Sequence, residues 1–165
     1  MRQKNGSVVT ECSLESRPQA RAGHDWDPKV DKIIQTEHSS HRILVVEDDP
    51  IIRRVNTTLL IGAGYEVDSA EDGAIAWNTI QRKTFDLLIT DNSMPNVTGI
   101  ELIKRVRAAG IGVPIIMATA ALPMDVFTQF PCLQPAATMI KPYTLEDLLV
   151  KVKNVLRGTA PVAIC

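Results

Sequence analysis

The sequence predicts an α/β fold whose centre is a doubly wound sheet of five parallel strands, built from five strand–helix units. Two observations carry this prediction. Short apolar runs alternate with helix-length amphipathic segments from residue 42 to residue 157. Each run is bounded by turn residues, which is typical of buried parallel strands. Because strand–helix–strand crossovers are right-handed, the helices are expected on both faces of the sheet.

The first half of this pattern holds three strands and two helices. The first strand is expected at 42–46, and the helix after it begins at the cap pair Asp49-Pro50 and ends at Gly62/Gly64. The buried stripe of this helix is expected to comprise Ile52, Val55, Leu59 and Leu60. The remaining elements of this half are a strand at 65–69, a helix at 73–82 and a strand at 85–90.

The second half continues the alternation. A third helix is expected at about 98–109, a fourth strand at 113–118 and a fifth strand at 137–140. Between the last two strands, Pro123, Pro131 and Pro135 confine a short fourth helix to 122–130, because proline interrupts helix interiors. The last helix is expected at 145–156, with Thr144 as its cap.

The chain is expected to comprise three segments. Residues 42–157 form the folded domain, and residues 158–165 form a C-terminal tail. Residues 1–41 form a polar N-terminal arm that is expected to be largely flexible. Within this arm a short helix is predicted near 28–38, and the alternative is a segment that becomes helical only when docked.

Composition limits the classes of partner. The formal net charge of −1 over 165 residues gives no reason to expect a nucleic acid or an acidic membrane. The sequence has no apolar stretch near the ~18 residues that span a bilayer, and its N-terminus lacks the apolar core of a secretory signal. Three cysteines without metal-ligand spacing favour reduced thiols. These observations predict a cytoplasmic protein.

Four of the predicted strands end in polar residues that phosphoryl chemistry uses. Glu47 and Asp48 follow the first strand, Asp91 the third, Thr119 the fourth and Lys141 the fifth. In an open α/β sheet, ligands bind beyond the carboxyl ends of the strands, so these side chains are expected in one crevice. Two carboxylates ~4 Å apart repel by about 4 kcal/mol at an effective dielectric of ~20. Such a cluster needs a cation or bound protons, and oxygen ligands with room for water suit Mg²⁺.

The same residues predict a reaction. A carboxylate such as Asp91 can take a phosphoryl group from a donor and become an aspartyl phosphate, while a metal ion and Lys141 neutralise the phosphoryl oxygens. Taken singly, each residue also has an ordinary structural explanation. Asp49 beside Pro50, for example, is better explained as a helix cap than as a metal ligand. The joint placement of the others at strand ends favours the functional interpretation.

Over residues 42–157 the chain resembles the receiver domain of two-component response regulators. The matching segments run from Ile43 to Pro50 and from Asp91 to Gly99, and they continue with Ala118-Thr119-Ala120 and Lys141-Pro142-Tyr143. The intervals between these segments match those usual in that family. The resemblance implies a flavodoxin-like sheet with strand order 2-1-3-4-5.

The resemblance also implies which residues bind metal and phosphate. Asp91 is the expected phosphoacceptor. The expected Mg²⁺ ligands are Asp48 directly, Glu47 through a water molecule, Asp91 itself and the backbone carbonyl of Ser93. Lys141 is the expected phosphate-pairing lysine.

Two further positions concern the response to phosphorylation. By the same resemblance Thr119 is the switch hydroxyl, and the peptide bond into Pro142 is expected to be cis. Thr138 is a departure, because the family usually has a tyrosine or phenylalanine there. A switch that works by rotation of that aromatic ring is therefore in doubt. The alternative is that partner selection relies on the fourth helix and on backbone shifts.

These expectations describe a signalling domain rather than an enzyme. The sequence shows neither an output module nor a kinase ATP site, so a stand-alone receiver is expected. It takes phosphate from a sensor histidine kinase or a histidine phosphotransfer protein, and then binds an unidentified target. Whether the active form dimerises stays open.

The main alternative is an interaction module that is not phosphorylated. A phosphatase is disfavoured because Ser93 stands where a second aspartate is usual, and flavin binding because acids follow the first strand.

Overall fold

The computed structural model describes residues 41–158. Five parallel strands form one sheet in the order β2-β1-β3-β4-β5. The strands are β1 (Arg42–Val46), β2 (Glu66–Ala70), β3 (Leu87–Thr90), β4 (Ile115–Thr119) and β5 (Ala137–Ile140). The helices are α1 (Pro50–Gly62), α2 (Gly73–Ile80), α3 (Gly99–Ala108), α4 (Met124–Gln129) and α5 (Leu145–Arg157), with a 3₁₀ turn at Pro131–Leu133. The predicted fold class and strand order are confirmed.

The sheet has a separate hydrophobic core on each face. Successive side chains of a strand point to opposite faces, so Leu88 of β3 packs in one core while Leu87 and Ile89 pack in the other. The first core is covered by α2 and α3, and the second by residues of α1 and α5 such as Leu60 and Leu148. Burial on both faces explains why the central strands are continuously apolar.

Side-chain caps define where α1, α3 and α5 begin. The Asp49 carboxylate accepts hydrogen bonds from the N–H groups of Ile51 (2.7 Å) and Ile52 (3.1 Å). Thr98 and Glu101 form a capping box at α3, and Thr144 and Asp147 form another at α5. Each cap satisfies backbone donors that a helix cannot pair internally. The cap interpretation of Asp49 is therefore confirmed.

The predicted stripe of α1 is wrong at one position. Val55 is 43% exposed, whereas the neighbouring Asn56 is buried. Asn56 points inward because its amide donates a 2.9 Å hydrogen bond to the Tyr143 hydroxyl in the loop before α5. A buried amide is tolerated when it is paired in this way, and an apolar periodicity cannot reveal it.

Other boundaries shift by a few residues. β3 begins at Leu87 instead of residue 85, and α2 ends at Ile80 instead of residue 82. The fourth helix is short, as predicted, and gives way to the 3₁₀ turn that begins at Pro131. Cys132 is disulfide-bonded, so the prediction of reduced thiols is wrong for this residue.

Some predictions fall on parts of the chain that are not described. Residues 1–40, which include the arm and its short helix near 28–38, lie outside the described residues, as do residues 159–165 of the tail. Between residues 41 and 158, none of the helices has the length and apolar character needed to cross a bilayer.

Candidate functional site

Three carboxylates meet at the carboxyl edge of the sheet. Glu47 and Asp48 follow β1, and Asp91 follows β3, the strand beside β1. The register sets Val46 opposite Thr90, so both strands end at the same level. One oxygen from each carboxylate lies within 4.8 Å of the others. Glu47 and Asp91 are 3% and 7% exposed, while Asp48 is open to solvent.

Lys141 joins this cluster from β5. Its ammonium donates to both oxygens of Glu47, at 2.9 and 2.7 Å, and to Oδ2 of Asp91 at 2.7 Å. Its backbone N–H donates to the Thr119 carbonyl at 3.0 Å, which continues the pairing of β5 with β4 to the edge of the sheet. The peptide bond between Lys141 and Pro142 is cis, as expected. One cation therefore bridges two buried carboxylates that come from different strands.

The surroundings of the two buried acids shift their pKa values in opposite directions. Burial raises the pKa of Glu47 above its usual value, and this effect outweighs the opposing hydrogen bonds from Lys141. Burial also opposes ionisation of Asp91, but hydrogen bonds from Lys141 and from the Ser93 N–H hold the pKa of Asp91 below its usual value. The pKa of Lys141 is raised: burial opposes its charge, but the hydrogen bonds to Asp91 and Glu47 prevail. Asp91 is therefore kept ionised.

The loop after Asp91 wraps around its carboxylate. Oδ1 of Asp91 accepts hydrogen bonds from the backbone N–H groups of Asn92 and Ser93, the latter at 3.2 Å. The Asn92 side chain in turn accepts from the Ile100 N–H at 3.1 Å, which ties the loop to the first turn of α3. Ser93, a predicted contributor of a metal ligand, is thus held directly beside the acidic cluster.

Thr119 ends β4 with a buried hydroxyl. The residue is fully buried, and its Oγ1 has no hydrogen-bond partner among residues 41–158. The hydroxyl nevertheless lies near enough to Asp91 to help lower the pKa of that carboxylate. Thr119 therefore lies beside Asp91 at the carboxyl edge of the sheet. Thr138 lies in β5 opposite Met117 of β4, and it is half-buried.

Gly99 allows α3 to begin against the Asp91 backbone. Its N–H donates to the Asn92 carbonyl at 3.2 Å, and a Cβ added at Gly99 would collide with the Asp91 carbonyl oxygen. The resemblance to the receiver family includes Gly99 in a matching segment but implies no role for it. A glycine directly after the helix cap Thr98 was the available signal.

We expect Gly99→Ala to lower the free energy of unfolding by about 1–3 kcal/mol, because the added methyl group displaces backbone in a packed region. Urea denaturation measures the effect. The matched control is Gly62→Ala at the end of α1, where nothing lies within 4 Å of an added Cβ; this change should be neutral or stabilise by up to about 1 kcal/mol. Equal effects of the two changes would contradict the steric argument.

Comparison with known proteins decides the family. The sequence model of the response regulator receiver domain matches residues 43–153, which is more than half of the chain. The chain belongs to the response regulator receiver family. Receiver domains are generally signalling domains without a catalytic role of their own. The resemblance inferred from the strand-end residues is thereby confirmed.

Two relatives illustrate how much of a longer protein this receiver matches. It is 36% identical over 124 residues to the response regulator MprA of Mycobacterium bovis, an alignment that covers 74% of this chain and 53% of MprA. It is 34% identical over 116 residues to the protein RcaC of Microchaete diplosiphon, covering 70% of this chain and 18% of RcaC. The chain thus spans about half or less of the length of these relatives.

Solved structures agree with the fold. The receiver superposes on the chemotaxis protein CheY4 of Vibrio cholerae with a TM-score of 0.65 and 32% identity, covering 71% of this chain and 99% of that one. It also superposes on the receiver domain of the sensor histidine kinase PA1611 of Pseudomonas aeruginosa with a TM-score of 0.64 and 26% identity, covering 72% and 99% of the two chains. The PA1611 structure has a magnesium ion coordinated in its active-site cleft.

Proposed function

We propose that this receiver accepts a phosphoryl group on Asp91 from a phosphohistidine and signals through phosphorylation-dependent protein contacts. The observation that carries the proposal is the convergence of Lys141 with the ionised Asp91, at 2.7 Å, beside two further carboxylates. A nucleophilic carboxylate, a cation for the phosphoryl oxygens and a metal-binding acid cluster are what phosphoryl transfer requires. That the receiver acts without an attached output module stays a prediction.

The acidic cluster suits Mg²⁺ as the cofactor. Three carboxylates supply the hard oxygen ligands that Mg²⁺ prefers, and the exposed Asp48 leaves the site open to the water molecules that this ion retains. We assign Asp48, Asp91 and the Ser93 carbonyl as direct ligands, and Glu47 as a ligand through water. When bound, Mg²⁺ neutralises negative charge on the phosphoryl oxygens.

The roles of Asp91, Lys141 and Thr119 in phosphoryl transfer follow from their chemistry. A carboxylate oxygen of Asp91 attacks phosphorus, and a P–O bond forms while the P–N bond to the donor histidine breaks. The imidazole leaves with the bonding electron pair. Lys141 then pairs with a phosphoryl oxygen, and the unpaired Thr119 hydroxyl donates to another. Movement of Thr119 toward the phosphoryl group shifts the loop between β4 and α4, which is how the signal reaches the surface.

The donor is a sensor histidine kinase or a histidine phosphotransfer protein. Beside the site, Ile51 is 73% exposed, and it lines a cleft of about 450 Å³ whose wall includes Val55, Lys141 and Leu145. Exposed apolar side chains grouped beside a reactive centre mark an interaction surface. We propose that the donor docks on this surface, which brings its phosphohistidine to Asp91.

Ile51→Ser should slow phosphotransfer from a phosphorylated histidine protein about tenfold, because loss of an apolar anchor costs roughly 1–2 kcal/mol of binding. Labelling by the small donor acetyl phosphate should not change. The control is Ile61→Ser, since Ile61 is 55% exposed at the opposite end of the same helix. Equal slowing by both substitutions, or slowing with both donors, would contradict the proposed docking surface.

The alternative is a receiver-like interaction module that is not phosphorylated, and Thr138 in place of the usual aromatic residue is the observation that favours it. Intact mass spectrometry after incubation with acetyl phosphate separates the two functions. Phosphorylation predicts an adduct of one phosphoryl group that forms with Mg²⁺ and is lost with EDTA. Absence of an adduct under both conditions supports the alternative.

A further inference from the structure

A buried aspartate outside the acidic cluster contacts the loop that carries Ser93. Asp72 precedes α2 and is 6% exposed. Its Oδ1 accepts from the Ile75 N–H at 2.8 Å and so caps the helix, while its Oδ2 accepts from the Asn96 side-chain amide at 2.6 Å. β2 and β3 lie on opposite sides of β1. The Asp72–Asn96 hydrogen bond therefore crosses the end of β1 and connects the β2 side of the sheet with the loop that follows β3 and Asp91.

A second contact joins the start of α2 to the loop between β3 and α3. The Gly73 N–H donates to the Val97 carbonyl at 3.2 Å. A Cβ at Gly73 would approach that carbonyl oxygen to 2.5 Å, so the close approach requires glycine. The side chains of Met94 and Val97, which belong to this loop, are buried in the first core. The loop between β3 and α3 is therefore fixed from three directions: by Asp91, by the core and by the start of α2.

Asn96, which makes this bond, has a left-handed backbone conformation. Asn96 has a φ of 60°, and it is the one non-glycine residue between 41 and 158 with positive φ. Asparagine tolerates this region better than most residues, but glycine adopts it without steric strain. The hydrogen bonds from Ile75 and Asn96 also hold the pKa of Asp72 below its usual value, so Asp72 is an ionised acceptor.

We propose that Asp72, acting through Asn96, is a positioning residue for the phosphoacceptor site. It holds residues 92–97 so that the backbone N–H groups of Asn92 and Ser93 stay on Asp91. The same restraint sets the position of the Ser93 carbonyl, which we assign as a Mg²⁺ ligand. Asp72 touches neither the phosphoryl group nor the metal. This inference rests on the proposed function, because it concerns the geometry of the same Mg²⁺ and phosphoryl site.

The test separates positioning from helix capping. Asn96→Gly removes the bond to Asp72 but keeps the Asp72 cap, and it imposes no strain at positive φ. Asn96→Asp sets two carboxylates against each other, and Asp72→Asn/Asn96→Asp restores a donor–acceptor pair with the original net charge, while asparagine still caps α2. Glu71→Gln is the control, because it neutralises the exposed carboxylate next to Asp72. Mg²⁺ affinity is measured by calorimetry, phosphorylation by acetyl phosphate, and unfolding by urea.

Loss of an outer partner of a metal site typically weakens affinity 10–100-fold, so Asn96→Gly should weaken Mg²⁺ binding and slow phosphorylation by about tenfold. Asn96→Asp should also weaken Mg²⁺ binding, although its added negative charge would by itself strengthen it. The double exchange should restore affinity to near that of the wild type, and Glu71→Gln should change little.

The inference is overturned if wild-type protein binds Mg²⁺ and is phosphorylated, but Asn96→Gly matches it in both and differs only in unfolding. It is also overturned if the double exchange fails to recover what Asn96→Asp loses. Wild-type protein that binds no Mg²⁺ and takes no phosphoryl group would instead overturn the proposed function.

Discussion

Asp91→Asn is expected to abolish phosphorylation by acetyl phosphate. An amide oxygen is a far weaker nucleophile than a carboxylate. Glu47 is the other buried acid that pairs with Lys141, but the N–H groups of Asn92 and Ser93 orient the Asp91 carboxylate instead. Intact mass spectrometry should show the adduct on wild-type protein and none on the variant. The loss should be complete, because the substitution replaces the negatively charged carboxylate nucleophile with a neutral amide.

The Asp91→Asn variant should remain folded. Lys141 keeps both hydrogen bonds to Glu47, and removal of one of three clustered negative charges relieves repulsion. Asp125→Asn is a suitable control, because Asp125 is an exposed carboxylate in α4; this variant should be labelled like the wild type. An adduct of equal yield on Asp91→Asn would place the phosphoacceptor elsewhere, and peptide mapping would locate it.

Lys141→Met is expected to destabilise the metal-free protein by about 3–5 kcal/mol, because it leaves two buried carboxylates without their cation. Lys141 is 18% exposed and makes 2.7 Å ion pairs with both Glu47 and Asp91. Urea denaturation in EDTA measures this loss. The same variant should be labelled more slowly by acetyl phosphate, because a phosphoryl oxygen loses its positive partner.

Magnesium should rescue part of the stability that Lys141→Met loses. A divalent cation bound among the carboxylates replaces the missing charge, and binding to the folded state adds to its stability. Added Mg²⁺ should therefore stabilise Lys141→Met more than it stabilises the wild type. An equal response of both proteins to Mg²⁺ would contradict this account of the cluster.

Lys83→Met provides the matched control for Lys141→Met. Lys83 makes a 3.0 Å ion pair with Asp68, but its side chain is 50% exposed and that of Asp68 is 32% exposed. Exposed pairs contribute about 0–1 kcal/mol. The control should therefore lose little stability, and Mg²⁺ should make no difference to that loss.

Sequence periodicity was sufficient to predict the fold because burial leaves a local trace. β3 is buried at all four positions, and such a run reads as a strand covered on both faces. The caps at Asp49 and Thr144 were visible for the same reason, since each cap acts within three residues. The convergence of Glu47, Asp48, Asp91 and Lys141 followed from the rule that parallel strands end at one edge. The roles assigned to these residues stay predictions.

Contacts between distant residues left no such trace. Asn56 and Tyr143 are 87 positions apart, and Asp72 and Asn96 are 24 apart. The apolar periodicity favoured Val55 as the inward position, but packing of α1 against the loop before α5 places Asn56 there instead. The sequence by itself determined the strands and the chemical groups at the edge of the sheet, because these depend on local pattern. The order of the strands was implied by the resemblance to the receiver family. Only the tertiary structure decided which polar side chains pair, because pairing depends on atomic distances that arise when helices and loops pack.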